Sequence, residues 1–453
     1  MPEVVPKVTL RLGSHAEKDY VEKTLKQFDG VIVGANLLEA SPAATASLLL
    51  KFHNKTKRPY YVDPMTYAFG AYVDPETEDV RHDLDWIKSD KKIRGQKDRF
   101  KRDFKSSYKS LADAFGPSFS TAVERSTAIG QKDFASNQLV DDVCQRILRY
   151  QNERLRDEFR EDSDTAAFAD DLPSPAVLFA PYFYIEESRA EEWIDLNHRL
   201  ALSSAKQAGN VPVHVIVCCH RDALTDAKLS ATLIKNILEC KPAGAWLWFS
   251  RFDEHLASAR ELSALRSWVE QLAPTVPVFN MHGGFFSLAL SRLGMRGIAH
   301  GVGYGEQKDV VPVIGQSTPT VQYYVRSLHS KYSVVQITRS FTALKIRTPE
   351  DFFKKICDCV ICKGVIGKDL NAFARFGDIH YSTPASKRAS QTPAAAKRCR
   401  FHFLLNRIKE RDYVSQTSLP DIAADCLNSY EAWSKTFLER YTGHLKLWNA
   451  ALS

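Results

Sequence analysis

The sequence contains no apolar run long enough to cross a bilayer. Its first residues, Met1-Pro2-Glu3-Val4-Val5-Pro6-Lys7, lack the basic-then-apolar form of a secretion signal. These absences predict a cytoplasmic protein with no membrane partner. Nine cysteines, an odd number, in a long chain without such a signal argue against a disulfide framework and for reduced thiols or a metal. Composition is otherwise that of a globular protein, with 44% hydrophobic and 25% charged residues. A chain of 453 residues can bury a large core, read here as one big domain with an appendage.

Three of the cysteines fall together in Cys357-Asp358-Cys359-Val360-Ile361-Cys362, and His402 follows in Arg400-Phe401-His402-Phe403. Three thiolates and an imidazole are a complete tetrahedral ligand set for Zn2+. Four protein ligands leave no open position, so the expected zinc is structural. The plain alternative is three free thiols in a reducing compartment.

The net charge of +7 comes from 61 basic and 54 acidic residues, and the excess is uneven. Residues 88–109 carry Lys91, Lys92, Arg94, Arg99, Lys101 and Arg102 among other cations. A second basic stretch holds Lys387, Arg388, Lys397 and Arg398 and runs on to Arg411, while 153–171 is acidic. A charge run is usually a solvated face. Two basic runs beside a metal cluster point instead to a polyanionic partner, a nucleic acid.

Short apolar, β-branched runs alternate with helical patterns, the signature of repeated βα units. The runs begin near Val31, Tyr60, Ala176, Val213, Gly244, Val278 and Gly297, with an eighth expected at Val334-Val335-Gln336-Ile337. Near-continuous apolar strands suit a parallel sheet buried on both faces. The expected fold is α/β, a (β/α)8 TIM-type barrel over residues 1–345 with a zinc-binding subdomain and C-terminal helices over 346–453. A doubly wound open sheet fits the same periodicity. Residues 71–175 interrupt the alternation and read as a basic helical insertion. The segment 381–399 reads as a flexible basic loop. A closing helix is expected to bury Trp433, Phe437, Tyr441, Leu445 and Trp448 as one stripe.

In a barrel, function collects where strands end at their carboxyl side. Those ends carry Asp63, Tyr182 to Glu187, His220 to Asp222, Arg251 to Glu254, His282 to Gly284 and His300 to Glu306.

The Cys357, Cys359, Cys362 and His402 pattern, with Asp63 after an early strand in Tyr61-Val62-Asp63-Pro64, resembles the tRNA-guanine transglycosylase superfamily. The resemblance covers residues 30–70 and 175–412 loosely, and only the cysteine cluster is a specific motif. It implies exchange of a guanine in a polynucleotide for a 7-deazaguanine such as preQ0 or preQ1. One carboxylate attacks the sugar and another moves the proton. Asp63 stands where that family keeps its proton-transfer aspartate, although the family's Ser-Gly-Gly is here Pro64-Met65-Thr66. The family's nucleophile motif would fall within 300–306, which holds no aspartate. Asp253, or alternatively Glu306, is the carboxylate within reach. Glu254 lines up with a family glutamate, and Tyr67, Phe69, Tyr182, Glu254 and His300 are the expected base-binding residues. Core packing is the plain reading of each aromatic.

These departures fit best the divergent branch that inserts 7-deazaguanines into DNA, with tRNA as the other possible substrate and partner proteins of a modification system as possible companions. Flipping a base from a duplex calls for basic grips on its flanks. Two other readings stay open: a catalytically silent transglycosylase-like subunit that binds nucleic acid, and an unrelated barrel hydrolase using Glu254, Glu306 and His300.

Overall fold

The structure, a computed structural model, describes residues 5–70, 83–84, 87–88, 103–125, 127–161, 163–303, 305–310, 313–314, 320–381 and 389–453. Eight parallel strands carry the fold: β1 (Lys7–Leu12), β2 (Gly30–Gly34), β3 (Tyr60–Asp63), β4 (Leu178–Phe179), β5 (Val213–His220), β6 (Gly244–Ser250), β7 (Val278–Asn280) and β8 (Met295–His300). Apart from β3 and β4, each pairs with its neighbours in sequence, and β8 returns to β1, so the ladder runs unbroken from β3 through β1 and β8 to β4. This cyclic order, without the reversal of a doubly wound sheet, nearly closes the sheet into a barrel. Every residue of β2 and β6 is buried, as expected for a parallel sheet covered on both faces.

Among the eight strands, only the β3–β4 seam has no ladder. The edges still face each other. Tyr60 Oη donates to Pro173 O at 2.6 Å, and the rings of Tyr61 and Phe179 lie 6.1 Å apart. A buried backbone must find partners, and Gln151 supplies them. Phe179 N donates to Gln151 Oε1 and Gln151 Nε2 donates to Phe179 O, each at 2.8 Å. Gln151 sits on the long helix Asn137–Glu161. The insertion therefore takes part in closing the sheet.

The eighth strand is not where the apolar pattern placed it. It is β1, whose Lys7-Val8-Thr9-Leu10-Arg11-Leu12 alternates polar and apolar residues. Val334–Ser340 is a helix instead, because Ser333 and Gln336 form a capping box: Gln336 N donates to Ser333 Oγ and Ser333 N to Gln336 Oε1.

The insertion contributes helices Ser106–Phe115, Pro117–Arg125 and Asn137–Glu161. Lys91, Lys92, Arg94, Arg99, Lys101, Arg102, Lys387 and Arg388 lie outside the described residues. Lys397 and Arg398 lie not in a loop but on the helix Pro393–Gln416, which Thr392 opens by accepting from Ala395 N. Both are engaged within the chain, Lys397 with Asp19 at 3.5 Å and Arg398 with Arg375 O at 2.7 Å. The expected closing stripe is also broken. One helix ends at Trp433 and the next starts at Gly443. Trp433, Leu445 and Trp448 are buried, while Phe437 and Tyr441 remain more than a third exposed. Buried apolar residues form one continuous cluster from Val8 to Leu452, so the C-terminal helices share the core of the sheet.

Candidate active site and metal centre

Register pairs Arg11 with Ile32, Ile32 with Tyr61, and Gly34 with Asp63. Because side chains alternate along a strand, Arg11 and Asp63 share the inner face. Asp63, the last residue of β3, is fully buried. Arg11 Nη2 donates to its Oδ2 at 2.6 Å, and Tyr182 Oη and Met65 N donate to its Oδ1 at 2.9 and 3.0 Å. Met65 reaches back by adopting a left-handed backbone, φ 55°, uncommon for a residue with a side chain. A Cβ on Gly34 would lie 2.6 Å from both Met65 Sδ and Asn36 Oδ1, so a larger residue would push those side chains aside beneath this turn. Thr66 then ties the turn across the open seam: its Oγ donates to Tyr182 O at 2.5 Å and accepts from Tyr182 N at 2.8 Å.

From Tyr182 the contacts continue around the inner face. Tyr67 lies 5.6 Å from Tyr182 and edge-on to Trp248 at 5.1 Å, and Trp248 lies 4.8 Å from His282. Arg11 closes the ring through Met281 Sδ at 3.5 Å. Burial pulls the Arg11 guanidinium down, but Asp63, Tyr182 and Tyr67 outweigh it and keep it charged. Burial, reinforced by Asp63, holds the Tyr182 phenol well above its ordinary value, so it stays protonated. Burial, then Arg11 and Lys308, push His282 well below 6.5. His282 is therefore neutral. Its Nδ1 lies 3.1 Å from Gly305 O, which places the proton there, and its Nε2 has no partner among the described residues.

The other expected site residues stand apart from this ring. Asp253 accepts from His255 N at 2.9 Å and pairs with its ring at 3.3 Å. Burial would raise its pKa, but His255 holds it below the usual range. Glu254 caps the short helix Phe285–Ala289, accepting from Gly284 N, Phe286 N, Ser287 N and Ser287 Oγ. Glu306 is enclosed by Lys331 and Arg407. These overcome burial and lower its pKa to about 2. Arg407 also holds Glu410 at 2.8 Å, and Glu410 in turn accepts from Tyr324 Oη and meets His329 Nδ1. That network joins the loop after β8 to the helix carrying His402. His300 pairs in register with Leu10, one residue from Arg11, and so faces outward against Phe28 and Phe403. Phe69 packs among Phe104, Tyr108, Phe115 and Phe119 of the insertion.

Sequence reasoning passed over Arg11, whose strand went unrecognised, and did not assign His282 a role. It also stopped short of Asp309, which accepts from Ser250 Oγ at 3.0 Å and Arg251 Nε at 2.6 Å. The signal for Asp309 is its place in the loop after β8, three residues beyond Glu306.

Cys357, Cys359, Cys362 and His402 converge in a buried cluster whose ligand atoms all lie within 4.8 Å of one another, so it could hold a metal ion. His402 Nδ1 lies 3.4 Å from Cys359 Sγ and 3.3 Å from Cys362 Sγ. His402 Nε2 lies 2.6 Å from Tyr324 O, which takes its proton and leaves the Nδ1 lone pair facing the sulfurs. Backbone N–H groups of Cys359 and Cys362 each donate to a sulfur at 3.4 Å, an arrangement that suits thiolates. Tyr323 stacks on the His402 ring at 4.0 Å with its hydroxyl 3.0 Å from Cys362 Sγ. Donor set, tautomer and surrounding hydrogen bonds all fit a metal.

No described helix is long and apolar enough to cross a membrane. No protein-family model matches this sequence, and no curated protein matches it either.

Proposed function

We propose that this chain is a base-exchange transglycosylase acting on a polynucleotide, DNA in preference to tRNA, on a (β/α)8 TIM-type barrel braced by structural zinc. The observation that carries this reading is Asp63. It is an ionisable carboxylate at the carboxyl end of a strand, fixed between a cation and a phenol and bordered by aromatic rings. Asp63, which the resemblance placed at the proton-transfer position, is given the nucleophile's role instead: its carboxylate oxygen attacks the anomeric carbon as the glycosidic bond breaks toward the departing guanine. Arg11 and Tyr182 hold that carboxylate from either side, at 2.6 and 2.9 Å. An incoming 7-deazaguanine then displaces Asp63 and loses its own proton. Asp253, which the resemblance offered as nucleophile, takes the other role here: with His255, 3.3 Å away, it gives a proton to the departing guanine and takes one back from the incoming base. Glu306, neutralised by two cations, and Glu254, committed to a helix cap, are left with structural work. Zinc would be held by the three thiolates and His402 and supplies no chemistry there beyond binding the subdomain together.

A second reading, a silent nucleic-acid-binding subunit, is favoured by the saturation of Asp63, since both of its oxygens already accept hydrogen bonds. Purified protein mixed with labelled guanine and duplex DNA or tRNA separates the two. Label entering the polynucleotide supports exchange. Salt-dependent binding without incorporation supports the silent subunit.

A further inference from the structure

We infer that Glu187, His220 and Asp222 form a second metal site, for a divalent ion of the manganese or zinc class, on the rim of the sheet. His220 is the last residue of β5. Asp222 lies two residues on, in the turn Arg221–Leu224, and Glu187 opens the turn Glu187–Arg189. The two segments are pinned together by backbone: His220 N donates to Ile185 O at 3.1 Å and Ile185 N to Cys218 O at 2.8 Å. The placement of the three side chains therefore follows from the strand end.

One ligand atom from each of the three lies within 4.8 Å of the others. The imidazole nevertheless bonds to neither carboxylate. Both of its ring nitrogens are shielded from solvent and have no hydrogen-bond partner among the described residues. A neutral imidazole carries one N–H and one lone pair, and shielded polar groups without partners call for an explanation. A cation between the three residues takes the lone pair and offsets the repulsion between the two carboxylates. The surroundings favour a cation as well. The residues line an open cleft of about 840 Å3 whose walls add Glu191, Asp195 and Asp226. Its two basic side chains are already engaged, Arg189 with Glu186 and Lys228 with Glu191. A cleft this acidic in a chain of net charge +7 is a local attractor for cations. One imidazole and two carboxylates suit Mn2+, Zn2+ or their neighbours more than the hard all-oxygen ions. Three protein ligands leave coordination positions open for water or an anionic oxygen, unlike the closed Cys3His cluster.

The inference does not depend on the base-exchange reading. It is tested by titrating Mn2+ into the full-length protein as purified, with free Mn2+ followed by its paramagnetic resonance signal. One Mn2+ per chain is expected, displaced by added Zn2+. His220→Ala should weaken binding at least about tenfold, since even changes behind a metal ligand cost that much. Asp222→Asn alters one exposed carboxylate and leaves the core intact, so it separates loss of a ligand from loss of fold, and it should weaken binding similarly. Mn2+ left free at millimolar concentration, or held equally by wild type and both variants, overturns the site.

Discussion

Arg11 and Asp63 form a buried ion pair, 2.6 Å from Nη2 to Oδ2, that joins the first strand of the sheet to the third. Register places both on the inner face, and Tyr182 completes the group from the loop after β4. The pair serves stability and the proposed chemistry at once, and the two roles separate by substitution.

Removing Arg11 alone strands a buried carboxylate. Arg11→Met should cost about 3–5 kcal/mol, the usual penalty for breaking a buried pair from one side. Asp63→Asn strands the buried Arg11 guanidinium in turn, which cannot shed its charge, and should cost at least as much. Urea denaturation of both variants checks the order, and equal small losses would show that the pair contributes little to the fold.

The metal cluster predicts a graded series. Cys362→Ser removes a ligand and should release the ion and expose the C-terminal helices to protease, because metal-binding energy is folding energy at such sites. Tyr323→Phe removes only the hydroxyl 3.0 Å from Cys362 Sγ. It should weaken metal retention roughly tenfold while leaving the fold intact. Metal content after challenge with a chelator gives both numbers.

Acid should destabilise the protein in two stages. Burial lowers His214 and His300 to about 4 and His444 to about 3. Unfolded histidine titrates near 6.5. A depressed folded value means that the stability these groups protect is complete above pH 6.5 and is lost as pH falls toward 4. Glu306 follows. Burial would raise it, but Lys331 and Arg407 bring it to about 2, so its contribution is present above about pH 4.5 and drains below. Calorimetry across pH 8 to 3 should show Tm falling from about 6.5 downward. Glu306→Gln should flatten only the lower stage.

Much of this fold was legible because its strands are apolar on both faces. The runs at Val31, Tyr60, Val213, Gly244, Val278 and Gly297 need no tertiary information to be seen. β1 escaped because the polar residues Thr9 and Arg11 are buried in it, and an inward cation breaks the apolar pattern. Val334-Val335-Gln336-Ile337 misled because β-branched residues were weighed above the Ser333–Gln336 capping box, which decided for helix. At the site, the cysteine cluster was readable from spacing alone. Asp63 was readable from its position after a strand. Its partners were not, since Arg11 lies 52 residues away in the chain and Tyr182 lies 119. Glu254 read as a base-binding carboxylate because nothing in its neighbourhood reveals that it would cap a helix some thirty residues later.

Glu254 gives a further test. It accepts four hydrogen bonds at the start of the helix Phe285–Ala289. Glu254→Ala should cost about 2–4 kcal/mol by leaving several buried donors unpaired. Glu254→Gln, which retains an acceptor oxygen, should cost less. If this residue instead bound the base, both variants would unfold like wild type and differ only in guanine exchange.

Base exchange on a polynucleotide is proposed to rest on Asp63. Mass spectrometry of nucleosides from the DNA and tRNA of cells bearing wild-type protein, Asp63→Asn, Asp253→Asn or no protein tests it most directly. A 7-deazaguanine nucleoside is expected in the DNA of wild-type cells, absent with Asp63→Asn at equal protein level and reduced with Asp253→Asn. Identical nucleosides in all four cultures, or a modification that survives Asp63→Asn, would contradict it.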